Sequence, residues 1–295
     1  MNFTKSLYFI FSSILILGLS SCGPSEQKSN DSDEFKKAEE SLKSTIQEVV
    51  TGIPSPTEIP YLIQQTGAEY NASFLNPLSN TDKYANRTEK AALNLGVYTA
   101  DIGYLASYDK TQEAIEYLNS CKILADNLGV IGSFDIELLK RFESNIANKD
   151  SLAALLDKTT KQTEKFLKDE SRNKLAALVV TGSFIEGLYI STSLVNSYPK
   201  DVLPANVRDN ILTPVIQVIL NQKKSVSDLL KMLTSVEQTD PVASLVRDLQ
   251  GLEKAYSELN IEEQIQNNRG DLVLTDKKLE QITAIVKSMR TSITD

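Results

Sequence analysis

Apolar residues recur three and four positions apart along most of this chain, the spacing of helices that bury one face. Residues 35–51 (FKKAEESLKSTIQEVVT) place Phe35, Ala38, Leu42, Ile46 and Val49 on one stripe. Gly52, Pro54, Pro56 and Pro60 end that helix, and a short one over 57–71 stops before Asn76-Pro77. A long apolar helix is predicted from Asn80 to about Tyr108, with Asp109 capping the next, 110–128, which Gly129 and Gly132 stop. Further helices are expected from Ser133 to about Ala147, from Ser151 to Glu170 and over 172–197. Residues 204–235 follow, with Pro214 kinking or dividing them, then 241–259 behind Asp240-Pro241, and a last helix from a Thr275 cap to about Ile293. No alternating run is long enough for a sheet. The expectation is an all-α fold, an antiparallel bundle of about ten helices joined by short loops.

Two stretches depart from the one-faced pattern. Residues 91–106 (AALNLGVYTADIGYLA) and 175–190 (LAALVVTGSFIEGLYI) are apolar nearly all round, as helices in the middle of a bundle are. Each holds two glycines, which cost roughly 1 kcal/mol apiece against alanine inside a helix and so imply a packing reason. In the first, Ala92, Gly96, Thr99, Gly103 and Ala106 share a stripe along which another backbone could approach. The two stretches begin about 84 residues apart, hinting at related halves over 80–170 and 171–260, although the glycines are spaced seven apart in one and five in the other.

Each central stretch also carries one carboxylate. Helical spacing sets Asp101 beside Val97, Tyr98, Tyr104, Leu105 and Tyr108, and sets Glu186 beside Val179, Gly182, Ser183, Tyr189 and Ser193. A buried carboxylate must find donors or take up a proton. One reading is a pocket lined by Tyr98, Asp101, Tyr104, Glu186 and Tyr189 that binds a cation or amine, or uses the acids as an acid/base pair. The other is a structural core in which tyrosine and serine hydroxyls satisfy each acid. Spacing alone leaves open whether Asp101 and Glu186 face each other.

Composition removes many alternatives. The chain has 31 basic and 39 acidic residues with no basic cluster, so it lacks the footprint of a nucleic-acid binder. It contains no histidine, which excludes Ser-His-Asp and Cys-His catalysis, imidazole zinc sites and the Glu-x-x-His pairs of di-iron bundles. No phosphate-binding glycine loop, EF-hand spacing or Cys-x-x-Cys occurs, so neither a cofactor nor a metal is expected. Cys121 lies in a helical stretch, where a small buried hydrophobe is the expected role. Arg269-Gly270-Asp271 reads as ordinary turn chemistry, and 157–174 as a solvated helix face. Asp150-Ser151-Leu152 is a good helix N-cap that also resembles the glycosylation site of exported Bacteroidota proteins.

The amino terminus carries an address. Lys5 precedes an apolar run over 7–19 (LYFIFSSILILGL), followed by Ser20, Ser21 and Cys22. That run is about 13 residues, short of the roughly 20 that span a bilayer as a helix. Leu19-Ser20-Ser21-Cys22 resembles the bacterial lipobox, and the resemblance implies a cleaved signal peptide (1–21) and an acylated Cys22 at the new terminus. Residues 22–34 would then be a lipidated tether too polar to fold, and 35–295 the helical domain. In the enterobacterial pattern Asp after the lipidated cysteine favours inner-membrane retention; Gly23 stands there, pointing to the outer membrane. Ser32-Asp33-Glu34 looks like the export signals of Bacteroidota surface lipoproteins, and the body resembles their all-helical members. The resemblance implies a membrane partner through the lipid at Cys22, on the periplasmic face or the cell surface. The expected role is a binding or interaction module for a small molecule or an envelope protein, not an enzyme. A carboxylate-based hydrolase of envelope glycans and a purely structural envelope protein are the alternatives.

Overall fold

The computed structural model describes residues 52–54, 58–129, 173–197, 205–259 and 277–295. The leader, Cys22 and the tether, the helices expected over 35–51, 133–147 and 151–170, the Thr275 cap and the Arg269-Gly270-Asp271 turn lie outside the described residues. Among those described there is no strand, and the fold is all-α. The helices are α1 (Glu58–Gln65), α2 (Thr81–Ala85), α3 (Thr88–Ser107), α4 (Thr111–Asn127), α5 (Asn173–Ser197), α6 (Ala205–Asn221), α7 (Lys223–Thr234), α8 (Val242–Glu258) and α9 (Lys277–Thr294). Short 3₁₀ turns at Ala72–Phe74 and Leu78–Asn80 lie in the connection between α1 and α2.

Most breaks fall where the sequence puts them, and the departures have local causes. The helix expected from Asn80 is divided, because Asn86 folds its side-chain amide back onto the Asp82 carbonyl and closes α2 after one turn. Asp109 does not cap α4; it occupies the turn at φ +58°, a left-handed conformation that Asp tolerates, and the helix begins beyond Lys110. Pro214 sits inside α6 on an exposed face, where the outer side of the helix can tolerate a missing backbone bond. The division within 204–235 comes instead at Gln222, whose buried side chain donates to the Val218 carbonyl and accepts from Ser225.

Helices α3 and α5 form the centre, and most side chains along both are buried. Burial on all sides explains why neither shows a polar face. It also explains why α5, with a mean hydropathy of 1.5 over its most apolar window, is long and apolar enough to cross a membrane although 72% of that window lies inside the domain. Around the pair, α4 packs on α3, α6 and α9 on α5, α8 on α9, and α7 on α8.

The short loop between α3 and α4 makes those two an antiparallel hairpin, as expected. The central pair runs parallel. Contacts advance together along both helices: Glu89 meets Lys174 at 3.2 Å, Leu93 and Gly96 meet Gly182 and Val179, and Asp101 meets Glu186. Parallel neighbours need an intervening crossover, and these two are separated by α4 and by residues 130–172. Their closest approach is at two glycines. A Cβ on Gly96 would lie 2.0 Å from the Val179 carbonyl oxygen, and one on Gly182 would lie 2.0 Å from that of Leu93. Backbone therefore packs on backbone at the crossing, and the roughly 1 kcal/mol per glycine is the cost of that proximity.

Candidate functional site

One turn beyond the glycine crossing, α3 supplies Asp101 and α5 supplies Glu186, both fully buried. Parallel register brings them face to face. Arg290 of α9 reaches in with a two-pronged contact, Nε to Glu186 Oε2 at 3.1 Å and Nη2 to Oε1 at 3.2 Å. Its guanidinium also lies over the Tyr189 ring, 4.6 Å from the centroid, and the Arg290 side chain retains 15% exposure. Planar two-point pairing is the strongest geometry for such a contact, and it satisfies Glu186 where water cannot.

Among the described residues Asp101 has no cation in direct contact. Its Oδ2 accepts the backbone N–H of Asn76 at 3.2 Å, and its Oδ1 meets no donor among those residues. Oδ1 can hydrogen-bond to Glu186 only if one of the two carboxyls carries a proton. Burial, reinforced by the negative charge of Glu186, holds the Asp101 carboxyl well above the ordinary carboxylate range. Burial also raises Glu186, with the Arg290 charge opposing it. For Arg290 burial works against the charge, but Glu186 outweighs it and the guanidinium is held more firmly protonated than usual.

Asn76 ties this cluster to the rest of the core. It precedes Pro77 in an irregular segment whose backbone groups, once buried, need partners from elsewhere. Its N–H goes to Asp101, its carbonyl accepts the Tyr117 hydroxyl at 2.8 Å, its side-chain oxygen lies 3.1 Å from the Tyr84 hydroxyl, whose one proton it shares with the Thr294 carbonyl, and its side-chain amide donates to Asn94 at 3.4 Å. Asn94 donates in turn to the Ile293 carbonyl at 3.0 Å, and Tyr84 to that of Thr294 at 2.8 Å. These are carbonyls of the last turn of α9, which have no partner within their own helix. Helix α9 is thus held at its end by two buried side chains and one turn earlier by Arg290.

The five residues of the expected pocket divide into two groups. Asp101, Glu186 and Tyr189 come together around Arg290. Tyr98 and Tyr104 turn their hydroxyls to the connecting segment, Tyr98 donating to the Pro77 carbonyl at 3.0 Å and Tyr104 accepting the Asn71 N–H at 2.9 Å. An arginine pairs with Glu186 and a backbone amide with one oxygen of Asp101, and the tyrosines serve the irregular backbone. Cys121 is buried as expected, and burial pushes its thiol up, away from reactivity.

Sequence reasoning passed over Arg290, Asn76, Asn94 and Tyr84. Arg290 left a signal, for it follows Val286 by four residues and precedes Ile293 by three, at the edge of the buried stripe of α9. Asn76 left none beyond its place before a proline. No protein-family model, curated protein or solved structure matches the chain.

Proposed function

We propose that the chain is a lipid-anchored protein of the cell envelope, held at the outer membrane through Cys22, whose helical domain holds a partner or ligand and does not catalyse. The lipobox-like Leu19-Ser20-Ser21-Cys22 supports the anchor. The observation that carries the non-catalytic part is that Asp101 and Glu186 are fully buried and directly opposed. An acid or base must lie within about 3 Å of the proton it transfers, and no substrate can reach these two without the core opening. A glycan hydrolase would also need its carboxyls roughly 5 to 9.5 Å apart across an open cleft, to admit the sugar and water. The acids instead join three helices, leaving recognition to the outer surface. A net charge of −8 over the chain favours basic or neutral partners on that surface.

Radiolabelled palmitate tests the anchor: incorporation is expected, and labelling that persists in Cys22→Ala would refute it. For the domain, pull-down from native membranes with mass spectrometry should recover a discrete partner. Release of sugar from envelope glycans that Glu186→Gln abolishes while the fold stays intact would overturn the binding role in favour of hydrolysis.

A further inference from the structure

Two buried carboxyls facing a single guanidinium carry one negative charge too many unless a proton lies among them. We propose that Asp101 and Glu186 share one proton, and that this proton makes the seating of helix α9 a pH-sensitive latch. This goes beyond the envelope-binding role and does not depend on it.

The hydrogen-bond geometry places the proton. Both Glu186 oxygens are taken by Arg290, and Asp101 Oδ2 by the Asn76 amide. Among the described residues Asp101 Oδ1 is left with only Glu186 to face. Asp101 is therefore the acid that donates and Glu186 the carboxylate that accepts, and with Arg290 the cluster is neutral. Loss of the proton puts two like charges in direct contact with no water between them.

Relief has one direction. Helices α3 and α5 are locked backbone to backbone at Gly96 and Gly182, so the acids cannot separate by moving those helices. Arg290, by contrast, already reaches partial solvent, and α9 is otherwise tied to the cluster through the Asn94 and Tyr84 bonds to its last carbonyls. Displacing α9 admits water to both acids. The other groups around the pair are Tyr98 on α3, Tyr189 on α5, Tyr117 and Cys121 on α4, Tyr84 on α2, and Tyr70 and Asn76 in the connection, with Glu113 of α4 beyond Tyr70. Burial raises the phenols of Tyr70, Tyr84, Tyr98 and Tyr117 and the thiol of Cys121, so the carboxyl pair ionises before them as pH rises.

The test has two arms on the intact protein. With ¹³C-labelled aspartate, the Asp101 carboxyl carbon should titrate with a midpoint well above the ordinary 3.8; a midpoint not raised above 3.8 overturns the shared proton. This reading needs no variant. Hydrogen exchange of the α9 amides, corrected for intrinsic rate, should then show protection falling by up to about tenfold per pH unit as pH rises from 3.8 toward that midpoint, and levelling off once Asp101 is ionised. In Asp101→Asn, which keeps a donor toward Glu186 and cannot ionise, protection should stay flat over the same range. The same fall in variant and wild type, or none in the wild type, overturns the latch.

Discussion

Gly96 rests against the carbonyl three residues before Gly182, and Gly182 against the carbonyl three residues before Gly96. The two glycines are thus related by a local two-fold symmetry at the point where α3 and α5 touch. Gly96→Ala or Gly182→Ala would drive a methyl into a backbone oxygen that has no rotamer through which to yield. Each is expected to lower stability by roughly 2 kcal/mol or more in urea denaturation, despite the better helix propensity of alanine. Gly251→Ala is the contrast, for nothing among the described residues lies within 4 Å of a Cβ at that place in α8. It should raise stability by roughly 0.5 to 1 kcal/mol.

Arg290→Met strips the paired guanidinium from Glu186 and should cost about 3 to 5 kcal/mol at neutral pH, the range for breaking one side of a buried ion pair. Glu186→Gln should cost less, since Arg290 keeps a route to solvent while Glu186 has none. The double variant should recover much of the loss. Denaturant midpoints of the three proteins check this, and strict additivity of the two single losses would contradict a direct pairing.

Asn76→Ala deletes a side-chain donor and acceptor while leaving the backbone bonds to Asp101 and Tyr117. Asn94 and Tyr84 would each lose a buried partner, at a cost of about 2 kcal/mol. Because both side chains also hold carbonyls of α9, hydrogen exchange should show the loosening concentrated in 290–294.

Stability should depend on pH with a definite sign. The folded state holds the Asp101 proton above the ordinary value of 3.8, so it binds more protons than the unfolded chain as pH rises from there. Stability from this group is fully present below 3.8 and is lost as pH climbs through the raised folded value, by up to about 1.4 kcal/mol per pH unit. Glu186, also raised, acts in the same sense. Thermal midpoints of Asp101→Asn measured against wild type should therefore improve steadily from pH 4 upward. A difference that does not vary with pH would contradict this.

The centre of the molecule was legible because its cause is local. Stretches without a polar face can be stable only in the interior, and the unusual glycines and lone acids mark 91–106 and 175–190 in the sequence itself. The parallel course of those helices was not legible, because short loops fix only neighbours in sequence and say nothing of elements separated by a crossover. Arg290 was hidden for a related reason: it meets Glu186 across 104 residues, and no periodicity spans that gap. The role assigned to the tyrosines missed a competitor, the irregular segment 66–80. Its orphaned backbone groups at Ala68, Asn71, Asn76 and Pro77 take tyrosine hydroxyls, those that the spacing sets beside Asp101 among them.

The bond from Tyr84 to the Thr294 carbonyl closes a loop of 210 residues, and the one from Asn94 to Ile293 spans 199. Contacts so distant along the chain form late, since the entropy of ring closure must be met before they return anything. An intermediate that has joined α3 to α5 but not yet received α9 exposes two acids to each other with no guanidinium at hand. Acidic conditions neutralise that intermediate, so refolding from denaturant should run faster near pH 5 than near pH 8. The arriving helix then acts as the step that commits the molecule to its native state.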